Sequence, residues 1–387
     1  MPKWFGAVVF FSVAAAIWTG VHVYLYTRVA SALDLGAAGR TAFKVVVVGL
    51  ALAYLVGRLL TGRWEDGAWV LTWIGAVWMG FAALAATAFA VRDLAIALPV
   101  AGMARWGGLD PAVAAGIARW SARAALALAA GGLAWGLWVV QRGPVVEEIE
   151  VPLAGLAPRL DGFRVVQVSD IHIGETVGEG YLDKIAGVVD GLDADLVVIT
   201  GDLTDETNGG DGNGLGRLGR LKSRLGVIAT LGNHEVYSGG QRVVEAIEAA
   251  GMRVLRQSHE VVADGVVVAG IDDPTFLGGR GKVGDAIASA LAGRPQEMPV
   301  VLLAHQPVGM EKASELGVDL ALCGHTHGGQ LPPFQLLNRI AYPFVQGMHA
   351  VGGTRVYVSR GTGYWGPPVR VFAAPEVTRF TLRSGTR

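Results

Sequence analysis

A multi-helix transmembrane anchor followed by an α/β domain is the architecture this sequence predicts, and three observations predict it. The composition breaks near residue 143: before it stand 11 Lys and Arg against 5 Asp and Glu, after it 21 against 28. Ten of the eleven Trp precede the break, and seven of the eight His follow it. Beyond the break, short apolar runs end repeatedly in Asp, Asn or His, as they do where an α/β domain presents reactive groups at strand ends. The net charge of −1 therefore conceals one half suited to lipid interfaces and another suited to ligation.

The anchor is expected over residues 1–143. Residues 4–26 form an almost uncharged run, long enough as helix to cross a hydrocarbon core of ~30 Å. More apolar runs follow it, instead of a cleavage site and a soluble domain, so it reads as a span and not as a signal peptide. Similar runs at 45–60, 68–91 and 124–140 bring the expectation to about four helices. Trp4, Trp64, Trp69, Trp106, Trp120, Trp135 and Trp138 fall near the expected span ends, where an aromatic belt belongs. Gly49, Ala53 and Gly57, at four-residue spacing, suit close helix packing. Apart from Arg58 near the end of the run 45–60, His22 is the one charged or imidazole group inside a span, which favours an anchor over a conduit. With four spans, Lys3, Arg58, Arg63 and Arg142 share one side, against Arg28, Arg40, Lys44, Arg92, Arg105, Arg119 and Arg123 on the other. That bias places the C-terminal domain outside the cytoplasm.

The α/β domain is expected over residues 145–387. Its strand-like runs, each with the polar group that ends it, come in order. Residues 163–168 lead to Asp170-Ile171-His172, 196–200 to Gly201-Asp202, and 227–231 to Gly232-Asn233-His234-Glu235. Residues 300–303 lead to Ala304-His305, and 318–323 to Gly324-His325-Thr326-His327-Gly328-Gly329-Gln330. Helical stretches are expected at 181–191 and 242–251 between them. Residues 208–216 hold five glycines in nine and read as a mobile loop, since no Walker lysine accompanies them. Cys323 is the single cysteine, which excludes an internal disulfide and a cysteine-rich zinc site. Alone, each ended run has an ordinary explanation: Gly-Asp is a common turn, Asn233 or Asp170 a helix cap, His305 a hydrogen-bonded core histidine. Together they form a donor set of carboxylate, imidazole and amide oxygen, which suits divalent Mn, Fe or Zn.

The ordered blocks Asp-x-His, Gly-Asp-x-x-Asp, Gly-Asn-His-Glu, His and Gly-His-x-His resemble those of the calcineurin-like metallophosphoesterase superfamily over about 145–387. With Ser169 to Gly174 and the tail Tyr357 to Gly363, the chain is most similar to the branch of membrane-anchored bacterial phosphoesterases. The resemblance implies a four-layer α-β-β-α sandwich. It implies two divalent metal ions, one on Asp170, His172 and His327, the other on Asn233, His305 and His325, with Asp202 as the bridge. It assigns His234 to the phosphoryl oxygens and to protonation of the leaving alkoxide, with Asp205 orienting its ring. The place implied is a bacterial cell membrane, which the chain crosses several times.

Asp205 is followed by Glu206-Thr207, not by the Arg of the family's protein phosphatases, and this disfavours phosphoserine substrates. The formal charge of the second half, 21 basic against 28 acidic groups, speaks against nucleic acid. A membrane-anchored hydrolase of phosphodiesters or phosphomonoesters in lipids or other envelope components is the reading that stays. Two others stand beside it: a metal-binding sensor or scaffold without turnover, against which the full ligand set and His234 argue, and a transporter with a regulatory hydrolase domain, against which the uncharged spans argue. Residues 331–344, with one charge and three prolines, are expected to be a largely irregular apolar segment beside the metals.

Overall fold

The computed structural model describes residues 3–61, 63–205 and 213–385. It divides into a helical unit (Met1–Leu137, with Leu331–Pro333 and Gly366–Val369) and an α/β unit (Trp138–Gln330, Phe334–Trp365 and Arg370–Arg387).

The helices of the first unit are Lys3–Ala32, Ala37–Leu60, Glu65–Arg92 and Pro111–Arg142. The third continues through a π-helical turn, Asp93–Ala97, into Leu98–Arg105. Three helices, Ala37–Leu60, Gly67–Arg105 and Pro111–Arg142, are long and apolar enough to cross a membrane. The runs 45–60, 68–91 and 124–140 lie inside them. The run 4–26 lies inside Lys3–Ala32, where several side chains among the first ten residues fall outside the described set. The helices outrun the apolar segments because Arg40, Lys44, Arg92, Arg119 and Arg123 end a hydrophobic run without ending a helix; Arg and Lys are good helix formers. The last helix starts where the sequence caps it, with Asp110 Oδ1 accepting from Ala112 N at 2.8 Å and proline at its first position. The charged and imidazole groups described inside this unit are paired, while the buried Thr72 hydroxyl is not. His22 Nδ1 donates to Trp18 O at 2.7 Å, and its Nε2 accepts from Trp78 Nε1 at 2.8 Å. Asp93 lies in a helix and not in a connecting loop, and it receives Tyr24 Oη at 2.8 Å, Arg28 Nε at 2.7 Å and Arg92 Nη1 at 2.7 Å.

Twelve strands build the second unit: β1 Val145–Ala154, β2 Phe163–Val168, β3 Leu196–Thr200, β4 Val227–Thr230, β5 Arg253–Val254, β6 Ser258–Val262, β7 Val266–Gly270, β8 Val300–Leu303, β9 Leu320–Cys323, β10 Gly347–Val351, β11 Thr354–Val358 and β12 Glu376–Gly385. They form two six-stranded sheets, ordered β1-β12-β2-β3-β4-β5 and β10-β11-β9-β8-β7-β6. Three separate cores define four layers. Val166, Val168, Val197 and Ile199 meet Leu182, Ile185, Val243 and Ile247 of helices Glu179–Asp190 and Gln241–Ala249. Between the sheets, Val165, Val198 and Ile228 pack with Val268, Val301, Leu322 and Phe380. Beyond the second sheet, Val267, Leu302 and Ala321 meet Ile287 and Met310 of helices Val283–Ala290 and Met310–Glu315. This is the expected α-β-β-α sandwich. β3, β4, β8 and β9 read as nearly continuous apolar runs, and β2 does so apart from Arg164 and Gln167, because helices or the other sheet cover both faces.

The two sheets converge at the carboxyl ends of those strands. Gln167 Nε2 on β2 donates to Cys323 O on β9 at 3.0 Å, and His305 after β8 reaches Thr200 O on β3 at 2.8 Å. Chain reversals leaving the strands there put every reactive loop on one rim, as open parallel sheets do.

Two local expectations change. Residues 206–212 of the glycine-rich stretch lie outside the described set, but Asn213–Gly219 is a helix: Gly214 fits where a Cβ would press on Ile173. Residues 331–344 are not irregular in the middle, since Phe334–Ala341 is a helix. Pro332 and Pro333 precede it and Pro343 follows it, so the prolines bound the helix and do not interrupt it.

Candidate metal centre

Among the described residues three groups at the rim lie within ligating reach: Asp170, His172 and His327; Asp202, His305 and His325; and His172 again with Asp205 and His234. The first two sets hold the close imidazole pairs. His172 Nε2 is 3.0 Å from His327 Nε2, and His305 Nε2 is 3.1 Å from His325 Nδ1. Two ring nitrogens bound to one ion at ~2.1 Å and about a right angle stand ~3 Å apart, so both pairs have the spacing of imidazoles on a common cation. Asp202 lies between the sets, with Oδ2 3.1 Å from His305 Nε2 and 3.7 Å from His172 Nε2. Asn233 contributes an amide oxygen that is buried and has no hydrogen-bond partner. A buried orphan acceptor is costly in a protein interior, and a cation beside it removes that cost. By these observations the residues present fit divalent ions.

Local backbone geometry makes the convergence possible. Asp170, His172, Asp202, His325 and His327 all take left-handed backbone conformations, with φ of 53°, 56°, 53°, 73° and 52°. Each such non-glycine residue costs on the order of 1 kcal/mol or more, and strain collected at one rim is the mark of a site. The glycines that precede ligands answer crowding: a Cβ on Gly324 would collide with the Asp170 carboxylate, and one on Gly232 with Asp202 Oδ1.

The electrostatics run the same way. Burial would lower His172, but Asp205 on its Nδ1, at 2.9 Å, with Asp202 and Asp170 beyond, raises it to about 9. His305 is likewise lifted well above its usual range against burial, chiefly by Asp202. Their neighbours go the other way: burial and the His305 charge lower His325 to about 3, and burial and His172 hold His327 well below its usual value. Each close pair thus joins a proton-holding ring to one that holds none. A proton there occupies the place that a metal cation displaces when it binds.

His234 stands apart from the two sets, with Nδ1 2.6 Å from Asp205 Oδ1 and Nε2 4.0 Å from Asp202 Oδ2. Asp205 therefore holds two rings, His234 and His172, and these two histidines, burial opposing, keep its carboxyl below the usual carboxylate range. Trp365 and Tyr237 flank His234, with ring centres at 5.7 and 5.5 Å. All nine residues singled out in the sequence thus lie at this rim.

Four supporting residues were not singled out. Glu235, fully buried, accepts from Gly232 N at 2.7 Å, Leu203 N at 2.7 Å, Asp202 N at 3.0 Å and Thr204 N at 3.3 Å, and so ties the β3 and β4 loops together. Ser169 Oγ donates to Asp170 Oδ2. Arg370, buried and lowered to about 10 by that burial, donates to the carbonyls of Gly363, Arg360 and Ala373, with Nη2 2.9 Å from His327 Nδ1. Tyr342 Oη lies 2.6 Å from His325 Nε2, so the hydroxyl sets the ring that faces His305. Glu235 had a signal, a charged residue inside the Gly-Asn-His block. Arg370 comes from a distant loop that nothing in the local pattern connects to the site, whereas Tyr342 belongs to the stretch 331–344 expected beside the metals, with nothing in the pattern to put its hydroxyl on His325.

A family model described as calcineurin-like phosphoesterase matches residues 163–329. A transmembrane protein with metallophosphoesterase domain from Danio rerio is 38% identical over 261 residues, covering 64% of this chain and 60% of that protein. An uncharacterized metallophosphoesterase of Campylobacter jejuni is 33% identical over 241 residues, covering 62% of this chain and 63% of that protein. Another from Bacillus subtilis is 31% identical over 281 residues, 68% of this chain and 94% of that protein. The chain thus spans about 60% of the length of the first relatives it matches.

Proposed function

The chain belongs to the calcineurin-like metallophosphoesterases, and from that premise we propose that it is a membrane-anchored, dinuclear metal-dependent phosphoesterase. It hydrolyses a phosphodiester or phosphomonoester, with lipid-linked or other envelope phosphoesters as the substrate class. The observation that carries this reading is the position of Asp202 Oδ2 between the two imidazole pairs. Asp170, His172 and His327 would hold one ion, Asn233, His305 and His325 the other, and Asp202 both. Bound there, the ions supply charge against the phosphoryl oxygens and an activated water. The residues of the chain do the rest. His234, neither in a close pair nor buried as deeply as the ligands, can hold a proton on Nε2 for the leaving oxygen, while Asp205 fixes Nδ1. Glu235 keeps the loops bearing Asp202 and Asn233 in register, and Tyr342 and Arg370 keep His325 and His327 in place.

The lipid-linked part rests on helix Phe334–Ala341, which ends immediately before Tyr342 and exposes Phe334, Leu336, Leu337 and Ile340. The Lys/Arg asymmetry supports an extracytoplasmic active site in a multi-pass protein of a bacterial membrane. The test is the full chain in detergent micelles, loaded with Mn and given a chromogenic phosphodiester. Asp202→Asn should lose at least ~10³-fold in kcat and bind fewer ions per chain with an unchanged melting curve. Full activity with no more than one ion bound would end the dinuclear reading.

A further inference from the structure

Beside the proposed metal centre an open cavity of about 380 Å³ is lined by Asn233 and His325 on one side and by Pro274, Thr275 and Arg280 on the other. The wall carrying Arg280 is held firmly. Asp273 caps the short helix Pro274–Leu277, accepting from Thr275 N at 2.8 Å, and takes Gln306 Nε2 at 2.8 Å through its other oxygen. Asp272 beside it is paired with Arg256 at 2.9 Å. Gly278 and Gly279, at φ of 83° and 140°, then turn the chain so that Arg280 comes over the ring of Tyr342, 4.8 Å from its centre. That tyrosine's hydroxyl is on His325. One tyrosine side chain thus separates the guanidinium from a proposed ligand of the second ion.

Eight arginines of the same unit, Arg164, Arg217, Arg224, Arg253, Arg256, Arg360, Arg379 and Arg383, pair with carboxylates, and others such as Arg159, Arg294 and Arg370 are taken up by backbone carbonyls. Arg280 makes no ion pair among the described residues; its partner is Tyr342, and it is exposed to the cavity. A guanidinium placed by backbone and an aromatic side chain, with no carboxylate on it, is preorganised for an oxyanion, since little rotamer freedom is lost on binding. Resting on the phosphoesterase reading above, we propose that this cavity is a second anion subsite. In it Arg280 recognises a further phosphate or carboxylate carried on one arm of the phosphoester, so that the preferred substrates are esters with two anionic groups and not one.

The experiment compares two chromogenic esters with the same leaving group, the p-nitrophenyl ester of thymidine 5′-phosphate and the same compound bearing a 3′-phosphate, on the metal-loaded full chain in micelles. The native protein should favour the doubly anionic ester by about tenfold in kcat/KM, through KM, as one charge-assisted contact allows. Arg280→Gln should erase most of that preference, and Arg280→Lys should restore part of it. Turnover of both esters with no preference, or an equal loss on both in Arg280→Gln, overturns the subsite and leaves the phosphoesterase reading standing. If neither ester is turned over, that reading fails instead. Competition of inorganic pyrophosphate against inorganic phosphate for the same protein then decides the subsite: native selectivity for pyrophosphate that Arg280→Gln abolishes supports it, and equal affinities refute it.

Discussion

In the helical unit the apolar side chains point outward, and in the α/β unit they point inward. Leu128 is 73% exposed, Leu94 70% and Val45 68%, while Thr72, His22 and the Asp93 cluster are enclosed. In the α/β unit the sheets bury nearly every Val, Ile and Leu, and charge lies at the surface or at one rim. One chain therefore obeys two opposite burial rules, and the difference identifies two solvents. Apolar surface on this scale is not left to water, so the helical unit is built for hydrocarbon and the α/β unit for an aqueous face. The polar groups each unit does bury also differ. Among the helices the imidazole and the charged groups are paired and only the Thr72 hydroxyl is left without a partner among the described residues, whereas the rim of the α/β unit gathers strained backbone, an orphan amide oxygen and close histidine pairs in one place. A satisfied polar cluster serves packing. An unsatisfied and strained one serves a ligand.

The largest effect that tests this contrast is expected at His234. Changing it to Ala should lower kcat on alkyl esters by roughly 10²–10⁴-fold, with both ions still bound and the melting curve of the protein unchanged. Esters of good leaving groups such as nitrophenol need less protonation and should lose less. If metal content fell with activity, His234 would be a ligand, and the rim would have a different division of labour.

A smaller effect, on stability and not on chemistry, is expected at Glu235. Its carboxyl lies above the usual range because of burial and the nearby Asp202, yet it is where four backbone N–H groups end. Glu235→Ala orphans those donors, which should cost about 3 kcal/mol and lower the melting temperature of the α/β unit by roughly 6–12 °C. Glu235→Gln keeps the acceptor oxygen and should recover about half. A variant as stable as the native protein would show that the loops bearing Asp202 and Asn233 are held by something else.

How much of this was legible in the sequence follows from what each feature depends on. The strands β2, β3 and β8 are legible to the residue, because a largely apolar run covered on both faces has sharp ends. The nine rim residues are legible because each lies in the short segment that follows a strand's carboxyl end, so that order along the chain and position in space coincide. Helix ends in the membrane half are not, since charge limits a hydrophobic run but not a helix. Arg280 and Arg370 are not legible either, since each reaches the rim from a loop remote in sequence. The stretch holding Tyr342 is expected beside the metals, but the role of its side chain, like theirs, depends on tertiary geometry: a guanidinium over a ring at 4.8 Å, a hydroxyl 2.6 Å from a histidine.

Helix Phe334–Ala341 is a place where the α/β unit follows the other unit's rule over several neighbouring side chains, and it carries the smallest expected effect. Its prolines were read as breaking structure, but they frame eight residues with none inside. Gln335 and Asn338 fasten the helix, donating to Val371 O at 2.8 Å and Thr326 O at 2.7 Å. The outward face is left to Leu336, 64% exposed, and Ile340, 80% exposed. If that helix only lacked a core to pack into, replacing Leu336, Leu337 and Ile340 by Ser should change no rate and could raise solubility. If it meets acyl chains, as an amphipathic helix at a lipid surface does, the triple variant should lose about tenfold in kcat/KM on a phospholipid ester in mixed micelles. Its rate on a small soluble diester should stay within a factor of about two. An equal loss on both substrates, accompanied by a lower melting temperature, would mean that the face is packed after all. The lipid-linked substrate class would then lose the observation it stands on, while the chemistry of the rim would remain as it is.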